Sequence, residues 1–258
     1  MPVSTFARYP SLDGMPVVVS GGASGIGEAI VREFAAQGSR VGFVDLMRDR
    51  GEALAAELTA AGHAVRFSAT DITDVDAYQS AIRGFEAAHG PALALVNNAA
   101  NDRRMVWNEV TSADWDWSVA VNLKHSFFAA QAVVPGMIKA GKGSIVNFGS
   151  LSWMIMLGNL PAYTASKAAM HGMSRSLARD FGPHGIRVNT LVPGWIMTEK
   201  QLTTIVGDAE NRMIDAGQAL KGRVYPVDVA RMALFLASDD SRMISAQDFV
   251  VDGGWAHN

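Results

Sequence analysis

Short β-rich runs recur along this chain with helical patterns between them, and that alternation admits few folds. The runs cover residues 17–19, 41–44, 64–67, 93–96, 144–148, 187–192 and 249–251. Most are near-continuously apolar, as strands covered on both faces are. Helical patterns lie at 28–37, 51–61, 75–88 and 112–140; in the first, Ile30, Val31 and Phe34 share a face and Gly38 stands where a helix would end. Strand alternating with helix predicts parallel strands joined by right-handed crossovers, hence a single doubly wound α/β (Rossmann) parallel sheet of about seven strands with helices on both faces. Pro16 fits at the very start of its strand. Residues 199–223 break the alternation and read as one or two helices above the strand ends, a natural substrate lid. No repeat or linker divides the chain, so residues 1–258 are expected to form one domain.

Composition narrows the function classes. The net charge of -3 argues against nucleic acid or an anionic membrane as the main partner, since both demand a basic surface. The absence of cysteine removes disulfides and thiol chemistry and fits a reducing cytoplasm. Residues 1–10 lack the cationic start and apolar run of a signal peptide, and no stretch reaches the roughly 18 to 20 apolar residues of a membrane span. The six histidines, His63, His89, His125, His171, His184 and His257, are scattered without metal-site spacing, so no catalytic metal is expected.

The first strand runs into Ser20-Gly21-Gly22-Ala23-Ser24-Gly25-Ile26-Gly27, with a helix after it. Glycines let backbone approach a pyrophosphate, and the N–H groups of a helix start favour its charge. The spacing of Gly21, Gly25 and Gly27 is G-x3-G-x-G, not the general G-x-G-x-x-G fingerprint. Asp45 ends the second strand, where a carboxylate accepts both ribose hydroxyls of NAD and repels the extra phosphate of NADP. Ser24 and Leu46 supply no cation for that phosphate; Arg48 is the nearest in sequence. Asp71-Ile72 and Asn97-Asn98-Ala99-Ala100 fall at the ends of the third and fourth strands, on the rim where open α/β sheets bind ligands. NAD is the expected cofactor.

Tyr163 and Lys167 stand four apart on a helical pattern and project from one face. A phenol is a poor base near neutrality, but an adjacent ammonium, helped by an oxidised nicotinamide, favours the phenolate. Tyr163 can then take a hydroxyl proton while hydride leaves. Ser150, at the end of the fifth strand, can hold the reacting oxygen.

These residues, in this order, resemble the short-chain dehydrogenase/reductase family over nearly the whole chain. The resemblance rests on Ser20 through Gly27, Asp71, Asn97-Asn98-Ala99, Asn122, Ser150, Tyr163 with Lys167, Pro193-Gly194 with Thr198, and Asp252-Gly253-Gly254. It implies that Asn122 holds a water linking Lys167 to solvent, that Ile196 and Thr198 contact the nicotinamide amide, and that the protein is a homotetramer. Ser20 stands where the family usually has threonine and can make the same turn contact. Ala100 stands where it has glycine, and a local change of shape is expected there.

Within the family the chain resembles aldose 1-dehydrogenases of the D-xylose type, through residues 97–102, 147–153, 220–223 and 237–240. Asn101, Asp102, Ser152 and Gln201 are candidates to bond sugar hydroxyls, which a polyol site must satisfy on desolvation. Trp153 and Trp195 can stack on a sugar's apolar face or line an apolar pocket. The apolar run 154–157 is read chiefly as lid packing, yet it keeps an apolar alcohol, ketone or oxoacyl substrate open. Arg103 and Met105 also depart from the aldose pattern. A non-catalytic dinucleotide-binding regulator on the same fold is a further alternative, against which the intact Ser150, Tyr163 and Lys167 set weighs. Trp107, Trp115 and Trp117 are assigned to helix packing or a subunit interface.

Overall fold

The structure, a computed structural model, describes residues 6–256. Residues 1–5, which begin the segment read above for a signal peptide, and His257 lie outside the described residues. Strands β1 (Pro16–Ser20), β2 (Arg40–Asp45), β3 (Val65–Ala69), β4 (Ala94–Asn97), β5 (Gly143–Phe148), β6 (Ile186–Pro193) and β7 (Asp248–Val251) form one parallel sheet in the order β3-β2-β1-β4-β5-β6-β7. Helices α1 (Gly25–Ala36), α2 (Arg48–Ala60), α3 (Val75–His89), α4 (Ser112–Val119), α5 (His125–Ala140), α6 (Pro161–Phe181), α7 (Glu199–Thr204), α8 (Asp208–Gly217) and α9 (Pro226–Ala237) connect the strands.

The apolar strands follow from two-sided burial. Side chains alternate along a strand, so Val17 and Val19 of β1 join one core with Ile30, Phe34, Val229 and Leu234. Val18 points the other way, into a core with Tyr78, Ile82, Val133 and Met137. Each such side chain removed from water contributes roughly 1.5–3 kcal/mol before the entropy of ordering is counted.

β1 pairs with β2 on one side and β4 on the other. The chain therefore leaves the β3 edge, crosses the sheet and resumes beside β1. That reversal opens a crevice beyond the carboxyl ends of β1 and β4, the position at which doubly wound sheets take ligands.

Two readings change in detail. The helix expected over 112–140 is divided: α4 ends at Val119, a π-helical turn covers Ala120–Lys124, and α5 begins at His125. The wider turn carries Asn122, whose side chain bonds the backbone of Asn101 and also donates to the Ser118 hydroxyl one turn back at 3.3 Å. Trp107 and Trp115 are 80% and 43% exposed, so they are not packed inside the chain, while Trp117 lies under the Arg103 guanidinium, 5.2 Å from the ring centre. Residues 199–223 contain two helices, α7 and α8.

Candidate active site

The turn after β1 is shaped by contacts that leave no room for side chains. Gly21 has φ 69°, and a β carbon there would lie 2.9 Å from the Ala99 Cα. A β carbon on Gly27 would lie 1.7 Å from the Gly21 carbonyl oxygen. Asn98 locks this loop from β4 by donating its amide to the Ser20 and Gly21 carbonyls, both at 3.0 Å. The Ala99 N–H donates to the Ser20 hydroxyl at 3.1 Å, the turn contact expected of serine in place of threonine. Ser24 stands before α1 without capping it through its side chain. The first N–H groups of α1 are therefore left to face a crevice that the glycine loop lines.

Around this crevice the structure gathers Asp45, Leu46, Asp71, Ile72, Asn98, Ala99, Ala100, Asn101 and Thr198. Asp45 accepts the Ala23 N–H and the Met47 N–H, each at 3.0 Å, which holds its carboxylate at the crevice end. Asp71 accepts from the N–H and hydroxyl of Thr73 and so also closes its own turn. The cation on this wall is Arg50, not Arg48: Arg48 pairs with Glu52 on α2, whereas Arg50 lines the crevice and pairs with Glu199 at 3.0 Å. Sequence reasoning missed Arg50 because a helix displays neighbouring residues in different directions. Lys200, the next residue of α7, pairs with Asp102 at 2.6 Å. The first turn of α7 is thus tied to both walls of the crevice. The cradle, the uncapped helix start and the carboxylate at the far end fit a nicotinamide dinucleotide.

A second cavity of about 210 Å³ opens beside the first, and Ile26, Asn98, Ala100, Asp102, Thr198 and Gln201 line both. Ser150, Tyr163 and Lys167 meet in its wall although they come from the end of β5 and from α6. The Ser150 hydroxyl accepts the Ser152 N–H at 3.1 Å. Burial pushes the Tyr163 phenol up to about 12, against the opposing pull of its hydrogen bond with Ser150. Lys167 is only 1% exposed, and burial pushes its ammonium down to about 7. Its Nζ donates to the Phe148 carbonyl at 2.8 Å.

The remaining candidates divide. Asp102, Ser152, Trp195, Ile196 and Gln201 line the small cavity. The Ser152 hydroxyl is buried without a partner among the described residues. Trp195 donates to the Gln201 side-chain oxygen at 2.9 Å and stacks on Trp255 with 6.3 Å between ring centres. Asn101 instead faces the larger crevice, and its side-chain oxygen accepts the Arg103 N–H. Trp153 is turned away from both cavities toward His171, to which it donates at 3.3 Å. Asn122 lines neither: fully buried, it accepts the Asn101 N–H at 2.8 Å and donates to the Asn101 carbonyl at 3.1 Å. The 154–157 run serves two ends. Met154 and Ile155 pack with Leu151, Met197, Ile214 and Trp255, while Ile155 and Leu157 also line the cavity.

A family model described as enoyl-(acyl carrier protein) reductase matches residues 21–256. A solved Serratia marcescens short-chain dehydrogenase/reductase is 31% identical, with a TM-score of 0.88 over 95% of this chain and 99% of that one. The chain belongs to the short-chain dehydrogenase/reductase family. It is an oxidoreductase on that fold. Among curated members of the family, the D-xylose 1-dehydrogenase of Caulobacter vibrioides is 42% identical over 96% of this chain and 98% of its own length. Another solved structure, a blue fluorescent protein from a metagenomic library in complex with NADPH, is 33% identical, with a TM-score of 0.86 over 95% of this chain and 99% of that one. Among the described residues, no helix is long and apolar enough to cross a membrane.

Proposed function

We propose that this chain is an NAD-dependent dehydrogenase that oxidises a hydroxyl of a polyhydroxylated substrate, an aldose at C1 giving its lactone. One observation carries the reading: Ser150, Tyr163 and Lys167 converge on a cavity that opens onto the glycine-loop crevice, with Asp45 at the crevice's far end. When bound, the dinucleotide accepts the hydride and its positive ring favours a phenolate nearby.

The chain's own residues supply the rest. The Ser150 hydroxyl holds the substrate oxygen beside Tyr163. The Tyr163 oxygen takes the hydroxyl proton as hydride departs, and returns a proton to the carbonyl oxygen in the reverse direction. A buried ammonium at Lys167 lowers the energy of that phenolate by Coulomb attraction across a water-poor site. Ile196 and Thr198 bound the nicotinamide end, and Asp45 selects the ribose with free hydroxyls. Helices α7 and α8 form the lid. By the family resemblance, the assembly is a homotetramer; the cysteine-free composition fits a reducing cytoplasm as its location.

Asp102, Ser152 and Gln201 supply polar contacts and Trp195 a flat apolar one, a combination suited to a sugar ring. The D-xylose 1-dehydrogenase relative supports this substrate class. A second reading, an apolar alcohol or ketone, is favoured by Ile155, Leu157 and Leu160 in the same cavity wall. A screen for NADH production across aldoses, acyclic polyols and apolar alcohols separates the two. Turnover confined to apolar alcohols would overturn the sugar reading, and NADH binding without turnover of any of them would overturn the dehydrogenase reading.

A further inference from the structure

Behind Ser150, away from both cavities, lies a buried histidine with two defined polar partners. His171 of α6 is only 7% exposed. Its Nδ1 meets the Asp248 carboxylate of β7 at 2.9 Å, and the other oxygen of that carboxylate accepts from Arg175 at 2.8 Å. Its Nε2 faces the Trp153 indole N–H at 3.3 Å, and the two rings meet edge to face with 5.2 Å between centres.

These contacts fix the protonation pattern. An indole N–H only donates, so Nε2 must accept and carries no proton. The single ring proton of the neutral histidine then sits on Nδ1 and is donated to Asp248. An imidazolium would carry a proton on both nitrogens, and the Trp153 N–H would face another donor.

The histidine also touches the chain on the near side of Ser150. A β carbon on Gly149 would lie 3.0 Å from His171 Nε2, so the imidazole packs directly against that backbone. Ser150 is therefore flanked by Gly149, which rests on the ring, and by the short 3-10 turn Leu151–Trp153, whose last residue is bonded to it. Ser152 of that turn donates to the Ser150 hydroxyl.

We propose that His171, held in its Nδ1-protonated neutral form by Asp248, is a positioning residue that fixes Ser150 by accepting from Trp153. The idea rests on the role given to Ser150 above. The charged groups facing the ring are Asp248 from β7 and, beyond that carboxylate, Arg175 from α6. Without the Nε2 acceptor Trp153 is released, and the 149–153 segment loses its anchor on both sides of Ser150.

Three variants and two readouts test this. His171→Leu removes the acceptor and should lower kcat about three- to tenfold, the worth of one hydrogen bond of about 1 kcal/mol, with KM for NAD unchanged. His171→Gln keeps an acceptor and should restore most of the activity lost in His171→Leu. Trp153→Phe removes the donor and should lower kcat to the same extent as His171→Leu. Independently of turnover, His171→Leu should change the tryptophan fluorescence relative to wild type, and the same substitution in a Trp153→Phe background should not. His171→Gln as impaired as His171→Leu would overturn the acceptor role, as would a kcat unchanged in His171→Leu. A protein that shows the His171-dependent Trp153 fluorescence difference but turns over no alcohol retains the histidine contact and loses the proposed function, so the two failures are distinguishable.

Discussion

Lys167 Nζ lies 6.0 Å from the centre of the Tyr163 ring and is bonded to the Phe148 carbonyl at 2.8 Å. The ammonium is thus anchored to the end of β5, the strand that also delivers Ser150, and faces the phenol across the cavity wall. Burial holds this lysine near 7 against an ordinary 10.5. Between those values the unfolded chain binds a proton that the folded chain does not, so stability rises with pH through that window; below about 7 the cost of the buried charge is fully present. Lys167→Met removes the charge. Its melting temperature relative to wild type should be more favourable at pH 6 than at pH 9, and a difference independent of pH would contradict the buried ammonium.

Tyr163→Phe keeps the ring and removes the oxygen proposed to move the proton. The value of kcat/KM should fall by about two to four orders of magnitude. NADH binding, followed by fluorescence titration, should change little, because the glycine loop, Asn98 and Asp45 are untouched. Retained turnover would place the proton transfer elsewhere.

The proposed preference for NAD rests on Asp45 and on the cation near it. Asp45→Ser removes the repulsion and should raise kcat/KM for NADP about tenfold, as a like charge within a few ångströms in a partly buried site is worth more than 1 kcal/mol. Adding Glu199→Gln releases Arg50 from its 3.0 Å ion pair and should raise NADP use further. Comparable kcat/KM for NAD and NADP in the wild type would show that Asp45 does not discriminate.

Asn122 ties the π turn to the loop that follows β4. Asn122→Ala strands the N–H and carbonyl of Asn101 without those partners and should cost about 1–3 kcal/mol in urea unfolding. Activity should fall as well, because Asn101 stands beside the Ala100 and Asp102 walls of both cavities. A variant as stable as wild type would mean that the wider turn does not depend on this side chain.

The alternating sheet, the glycine loop and the Ser150, Tyr163 and Lys167 set were legible in the chain because each rests on short-range chemistry. Apolar runs need two-sided cover, glycines mark backbone approach, and residues four apart share a helix face. The division of the 112–140 helix was not legible, since it depends on Asn122 meeting the distant Asn101. Nor was the side on which Trp153 would fall: it follows Ser150 closely, yet its indole turns to His171 because Asp248, from the last strand, holds an acceptor there. Arg50 in place of Arg48 has the same origin, in a carboxylate brought from α7. The sequence by itself determined which strands and loops exist and what chemistry their ends carry, because propensity, burial pattern and motif spacing are local. Only the tertiary structure decided which polar groups meet across the crevice, because a hydrogen bond or ion pair needs atoms placed within about 3 Å by elements far apart in the chain.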